Sequence, residues 1–343
     1  MTASTHKISY LSTTPLQIGY RKRSREICIA KTQKLKIHPG DFICLIGPNG
    51  SGKSTLIRTL SGIQEPLKGT VTLNDQSYDT LSPRERARRV SVVLTEMPSP
   101  GMLDAYSLVA LGRHPYSGKF GTLGQKDHER IHWALQTMDA LKLKDCQVSH
   151  LSDGERQKLL IARALAQETP LMLLDEPTAF LDLPRQVELM ITLRKLAHQK
   201  QMGIILSTHN LDLAIRFADY IWLLNKEGTI TQGYPEVLAT NGTISHTFSS
   251  NEVEWSIKNG AFRIQANPEL RAIVQGNGAL IVWTQRALER LGFTIVEQNE
   301  NPTLEITISE IDQKSEWSVN HNGNGTSFSS IETMIDWLIR HNV

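Results

Sequence analysis

The stretch Gly47-Pro48-Asn49-Gly50-Ser51-Gly52-Lys53-Ser54 decides how the rest of this 343-residue chain is read. Before it runs Asp41-Phe42-Ile43-Cys44-Leu45-Ile46, a short apolar run of the kind expected for a buried strand. After it, Thr55-Leu56-Ile57-Arg58-Thr59-Leu60-Ser61 ends at Gly62, which predicts a helix with a glycine stop. Glycines permit backbone angles that a Cβ resists, so consecutive N–H groups can turn inward around an anion. The first helical turn adds unpaired N–H groups and the positive end of the helix dipole. The pattern GxxxxGK[ST] therefore predicts a phosphate cradle made by Gly47, Pro48, Asn49, Gly50, Ser51, Gly52, Lys53 and Ser54, with Thr55 beside them. In such a cradle Lys53 reaches the β and γ phosphates of a nucleotide and the Ser54 hydroxyl holds Mg²⁺.

Composition narrows the partners. The 37 basic and 35 acidic residues nearly cancel, which argues against nucleic acid as the main partner. No apolar run reaches the length that crosses a bilayer, and the polar start from Met1 to Thr14 lacks a signal-peptide core, so a cytoplasmic location is expected. Cys28, Cys44 and Cys146 are odd in number and widely spaced, and are expected to be buried reduced thiols rather than a disulfide framework or a metal site.

Outward from the loop, residues 7 to 46 predict an antiparallel β portion, and Thr70–Leu73 and Val90–Thr95 predict further strands. Met97-Pro98-Ser99-Pro100-Gly101 excludes a regular element. Between about 105 and 168 the pattern is helical, with Ile131, Leu135, Met138 and Leu141 at spacings of three and four. The apolar runs Leu171–Leu174, Gly203–Leu206 and Tyr220–Leu224 alternate with helical stretches and so predict a mostly parallel sheet covered on both faces. Composition shifts to Ser, Thr, Asn and Gly near Asn241 to Asn251, the expected domain boundary. Beyond it, strands are expected at Leu280–Trp283 and Leu304–Ile308 and helices at Gln285–Leu291 and Ser330–Arg340. Trp255, Trp283, Trp317 and Trp337 fall there, which predicts a separate core.

Leu171–Leu174 ends in Asp175-Glu176. Ligands of parallel sheets gather at the carboxyl ends of strands, so both carboxylates are expected to face the phosphate loop. Asp175 is placed to hold Mg²⁺ through water, and Glu176 to orient or deprotonate the water attacking the γ phosphate. With these in place, the order of Leu151-Ser152-Asp153-Gly154-Glu155, Pro177-Thr178-Ala179-Phe180-Leu181-Asp182 and Ser207-Thr208-His209-Asn210 resembles the nucleotide-binding subunit of an ATP-binding cassette (ABC) transporter over residues 7 to 240.

That resemblance implies an α/β fold, a P-loop NTPase cassette at 1–245 with a parallel sheet core, an antiparallel β portion and a helical subdomain at about 97–168, followed by an accessory α+β domain at 251–343. It implies ATP and Mg²⁺ as cofactors. Leu151–Glu155 stands where the family signature LSGGQ belongs, with Asp153 and Glu155 departing from it. Ser152 and Gly154 then grip the γ phosphate bound to an opposite subunit, and Asp182 communicates across the dimer. His209 contacts the γ phosphate and positions water, and Tyr20 stacks on adenine. A glutamine of the family falls on Thr95 in a gapless count, with Glu96 next, so Glu96 is the candidate to bind the cation through an oxygen.

Arg84-Glu85-Arg86-Ala87-Arg88-Arg89 and Leu108–Tyr116, with its Gly-Arg-His-Pro-Tyr end, resemble cassettes that power import of iron chelates, haem or cobalamin. One phosphate loop and one signature per chain imply a homodimer on a pair of transmembrane permease subunits, at the inner face of the cell membrane, served indirectly by a substrate-binding protein. The alternative is a soluble cassette ATPase acting on DNA or ribosomes. No heptad tract separates Lys53 from Leu151, only one cassette is present, and the near-neutral charge disfavours both forms of that alternative. For the segment from about 251, a dimer-stabilising role and a regulatory ligand-binding role both stand open.

Overall fold

The computed structural model describes residues 9–22, 25–95, 102–118, 121–250, 253–257, 259–264, 267–296, 302–311, 314–321 and 323–341. The chain divides into two compact units, Met1–Thr247 and Phe248–Val343.

The first unit is built on a six-stranded sheet. Its strands are β1 (Phe42–Ile46), β2 (Val90–Val93), β3 (Leu171–Leu174), β4 (Gly203–Ser207), β5 (Tyr220–Leu224) and β6 (Ile230–Gly233), in the spatial order β6-β5-β1-β4-β3-β2. All neighbours are parallel except β5 and β6. Every residue of β1, β3 and β4 is buried, which is why these strands read as unbroken apolar runs rather than alternating ones. Register sets Ile204 against Phe42 and Met172 against Ile204, so the turns after β1, β4 and β3 leave the sheet side by side.

An antiparallel sheet joins Lys36–Ile37, Leu11–Thr13, Val71–Leu73 and Gln76–Ser77 in that order, and Gln17–Lys22 pairs with Arg25–Lys31 as a hairpin. These pieces share one apolar core with β1 and with helix α1 (Lys53–Leu60), including Leu11, Ile18, Leu45, Leu56 and Trp222. The helical portion contains Ala105–Ala110, Gln125–Thr137 and α2 (Asp153–Ala166). Ile131, Leu135 and Met138 are buried as expected, but the helix stops at Thr137, Asp139 takes a positive φ of 49° and Leu141 is exposed. Helix α3 (Leu183–Lys200) connects β3 to β4, and α4 (Leu211–Phe217) connects β4 to β5. Of the three cysteines only Cys44 is buried; Cys28 and Cys146 are exposed, correcting the expectation of three buried thiols. Among the described residues, no helix is long and apolar enough to cross a membrane.

The second unit opens with a hairpin, Val253–Ser256 paired with Ala261–Ile264. Then come β7 (Asn267–Gln275), α5 (Ala279–Arg290), β8 (Phe293–Ile295), β9 (Leu304–Ile311), β10 (Lys314–His321), β11 (Asn324–Phe328) and α6 (Ile331–Arg340). The sheet order is β8-β7-β9-β10-β11, with β7 parallel to β8 and β9 and the remaining pairs antiparallel. Leu280–Trp283 is the first turn of α5, not a strand. Four apolar residues cannot fix a period by themselves, and the continuing pattern settles it: Thr284, Ala287 and Leu288 are buried at helical spacing while Trp283 is 58% exposed. The unit has its own core, with Leu288, Phe293, Ile306, Trp317 and Met334, and the Trp317 indole donates to Thr284 Oγ1 at 3.0 Å. Trp283 has no part in that core.

Candidate functional site

The turn between β1 and α1 is closed from within. Lys53 Nζ donates to the carbonyls of Gly47 at 2.8 Å and Pro48 at 3.1 Å, which pins the loop while the ammonium stays buried. Burial pushes the Lys53 ammonium below its ordinary range, and the carboxylates of Glu176 and then Asp175 pull it back up. A Cβ on Gly47 would stand 2.2 Å from the Leu224 carbonyl oxygen, so the backbone itself fills the space a side chain would need. Gly52, at φ 106°, caps α1 without any side-chain hydrogen bond, which leaves the first N–H groups of the helix to whatever enters the loop. Ser51 Oγ is buried and, among the described residues, has no hydrogen-bond partner. A buried hydroxyl in that state is costly unless a ligand oxygen completes it.

The carboxylate side is held by one hydroxyl. Ser207 Oγ, at the end of β4, donates to Asp175 Oδ1 at 2.7 Å and accepts the N–H of Glu176 at 2.8 Å. Glu176 has a φ of 50°, a left-handed conformation that a side chain disfavours, and this hydrogen bond helps to hold it there. Its Oε1 is hydrogen-bonded to His209 Nε2, and the Thr95 hydroxyl donates to the Asp175 carbonyl at 3.1 Å. Tyr20 is 41% exposed and shares a 3.1 Å hydrogen bond with Thr55.

One open cleft of about 470 Å³ gathers Tyr20, Asn49, Gly50, Lys53, Glu176 and His209, with Gly52, Ser54 and Thr55 in the same wall. Lys53, Ser54, Glu176 and His209, expected from the sequence to bind nucleotide, hold metal and move a proton, thus meet at one edge of the sheet. Gly47, Pro48 and Ser51 form the loop behind that wall, and buried Asp175 lies behind Glu176.

Ser152, Gly154 and Asp182 do not line this cleft. Ser152 caps α2, accepting the Glu155 N–H at 3.3 Å while its own hydroxyl donates to Glu155 Oε2 at 2.7 Å. Asp182 caps α3 by accepting the Arg185 N–H at 3.0 Å. A Cβ on Gly154 would come within 3.2 Å of Leu181 Cδ2, so the signature packs against the segment that follows Glu176. Glu96, together with Met97–Gly101, lies outside the described residues.

Two contributors, Ser207 and Arg113, have roles that the sequence patterns do not state. Ser207 stands inside the quoted Ser207–Asn210 stretch, and its signal is a hydroxyl at the end of a strand adjacent to the carboxylate-bearing one. Arg113, in the Gly-Arg-His-Pro-Tyr stretch, is buried and meets Asp127 at 2.7 Å, Glu168 at 3.2 Å and the Ala166 carbonyl at 2.7 Å. Its guanidinium also lies 4.2 Å from the Tyr116 ring centroid, so this stretch locks the helical portion to the end of α2.

Comparison with known proteins agrees with this geometry. Residues 30–179 match the ABC transporter family model and residues 271–339 match the iron ABC transporter C-terminal domain. The chain is 38% identical over 258 residues to an uncharacterized ABC transporter ATP-binding protein of Methanocaldococcus jannaschii, covering 75% of this chain and 88% of that one. It is 35% identical over 244 residues to the ferric enterobactin transport ATP-binding protein FepC of Escherichia coli, covering 71% and 89%. Among solved structures, the dimeric structure of a bacterial ABC transporter cassette superposes with a TM-score of 0.59 at 26% identity, over 66% of this chain and 98% of that one. With a cleft lined by a phosphate-loop pattern on a parallel sheet and relatives matched over most of their length, the chain belongs to the ATP-binding proteins of ABC transporters.

Proposed function

We propose that this chain hydrolyses ATP to power an importer, and that the cargo is an iron chelate. The observation that carries the catalytic part is the single cleft in which Lys53, Ser54, Glu176 and His209 meet. The Ser51 hydroxyl, without a partner among the described residues, the uncapped start of α1 and the glycine positions that exclude a Cβ fit a bound polyphosphate. ATP supplies the transferable phosphoryl group, and Mg²⁺ offsets its charge.

Lys53 exchanges its loop carbonyls for the β and γ phosphate oxygens, a trade of neutral acceptors for charged ones. Ser54 and, through water, Asp175 would hold Mg²⁺, and Ser207 keeps the Asp175 carboxylate aimed. Glu176 accepts the proton of the attacking water, and His209 Nε2, hydrogen-bonded to Glu176 Oε1, orients that carboxylate. Tyr20 and Thr55 line the wall toward the base.

Ser152, Gly154 and Asp182 lie outside the cleft and serve the nucleotide of a second copy, so the working form is a dimer of cassettes (1–245), each with its accessory domain (251–343). This pair docks on permease subunits at the inner face of the membrane, with a substrate-binding protein on the far side. The iron assignment draws support from the ferric enterobactin relative and from the iron-type C-terminal domain match. Copurification with a permease distinguishes this reading from a soluble cassette working on ribosomes or DNA. For the chemistry, Glu176→Gln should still bind ATP and turn it over about a hundredfold more slowly, the scale of a lost general base. Wild-type turnover in a steady-state phosphate-release assay would remove Glu176 from this role.

A further inference from the structure

We propose that the C-terminal unit carries a binding site for a small, multiply charged oxyanion, in the cleft between the Val253–Ile264 hairpin and helix α5. The cleft encloses about 520 Å³, inside the range of roughly 300–1,000 Å³ usual for small-molecule sites.

Helix α5 carries two stripes. Thr284, Ala287 and Leu288 are buried toward the unit's own core. Val282, Gln285, Arg286, Glu289 and Arg290 follow one another at the spacing of a single helical face and form one wall of the cleft. Ser256, Phe262 and Arg263 of the hairpin form the other.

The charge of these walls is unbalanced. Arg263 is neutralised by Glu254, at 2.5 Å. Arg286 lies over the Trp283 ring with 5.0 Å to its centroid, and among the described residues neither Arg286 nor Arg290 has an ion-pair partner. With Arg263 already paired, Glu289 is the one carboxylate in the lining, against the two remaining guanidinium groups of Arg286 and Arg290. Arg286 and Arg290 stand four residues apart on the helix, where like charges repel. An oxyanion between them removes that repulsion, and the planar guanidinium fork matches carboxylate and phosphate oxygens in pairs. Phe262, edge-on to Trp255 with 5.2 Å between ring centroids, and Val282 give the cleft an apolar side. The ligand is therefore a compact molecule with at least two acidic groups, either a polycarboxylate or a phosphate compound.

The test uses the full chain carrying Lys53→Ala, so that the phosphate cradle of the first unit does not compete. Citrate and inorganic pyrophosphate are titrated separately by calorimetry at low ionic strength. The proposal expects saturable binding of at least one of them, weakened tenfold or more by the added pair Arg286→Gln and Arg290→Gln. Citrate binding alone identifies a polycarboxylate site and pyrophosphate binding alone a phosphate site. No binding of either probe at millimolar concentration, or binding unchanged by the paired substitution, overturns the proposal. Thermal unfolding without ligand checks that the pair folds, and Arg290→Gln alone gives the same reading if it does not.

Discussion

Helices α1 and α2 both begin at a serine and glycine turn, yet they leave their first N–H groups in opposite states. At α1 the cap is Gly52, no side chain reaches back, and the neighbouring Ser51 hydroxyl is buried without a partner among the described residues. At α2 the cap is Ser152, and Glu155 answers it in a reciprocal box: hydroxyl to carboxylate at 2.7 Å, Ser152 N–H to carboxylate at 2.9 Å. The same box recurs at the short helix Pro83–Ala87, where the Ser82 hydroxyl meets Glu85 at 2.7 Å. A closed start of this type stabilises its helix from within, whereas an open start leaves donors for an anion. The difference gives Glu155 a local role: it closes the cap of α2. It also marks the phosphate loop as the place where stability is withheld until ligand arrives.

Three substitutions break or sharpen this contrast. The largest effect is expected from Gly47→Ala, because the new Cβ would lie 2.2 Å from the Leu224 carbonyl oxygen and force the loop and β5 apart. Denaturant unfolding should show a loss of about 3 kcal/mol, the upper end for overpacking. Ser152→Ala removes the box at α2 and should cost about 1 kcal/mol in the same experiment. Part of that cost depends on pH. Hydrogen bonds from the Ser152 hydroxyl and then its N–H hold the Glu155 carboxyl below its ordinary value of 4.5. Because the folded value is depressed, this contribution is complete above the ordinary value and fades as pH falls through the folded one. The gap between wild type and Ser152→Ala should therefore narrow in acid. Ser51→Ala should leave the ligand-free protein unharmed or more stable by up to about 1 kcal/mol, since it removes a buried hydroxyl that has no partner among the described residues. It should nevertheless weaken nucleotide binding. A clear loss of stability without ligand would mean that Ser51 is not held open for one.

The readable parts of the sequence were those in which chemistry is written locally. Gly47 to Ser54, Asp175-Glu176 and Ser207 to Asn210 are contiguous patterns, each following a fully buried strand, and register alone brings them together. Leu280–Trp283 misleads because four apolar residues suit either a buried strand or the start of a helix, and only the burial of Thr284, Ala287 and Leu288 decides. Ser207 as the anchor of the Asp175 carboxylate and of the Glu176 backbone N–H depends on the adjacency of β4 and β3, which no local pattern states. Arg113 is similar: its partners Asp127 and Glu168 lie far along the chain, and a buried arginine looks in sequence like any surface one. The count of tryptophans pointed correctly to a core in the second unit, but Trp283 lies on its surface.

The central claim is that the open start of α1 is a nucleotide site closed by Lys53. Calorimetric titration of Mg²⁺-ATP into wild type and Lys53→Ala tests it most directly. The structure predicts saturable binding to wild type and a loss of at least about a hundredfold in affinity for the variant, the scale of two charge-assisted hydrogen bonds. Equal affinity in the two chains would contradict it.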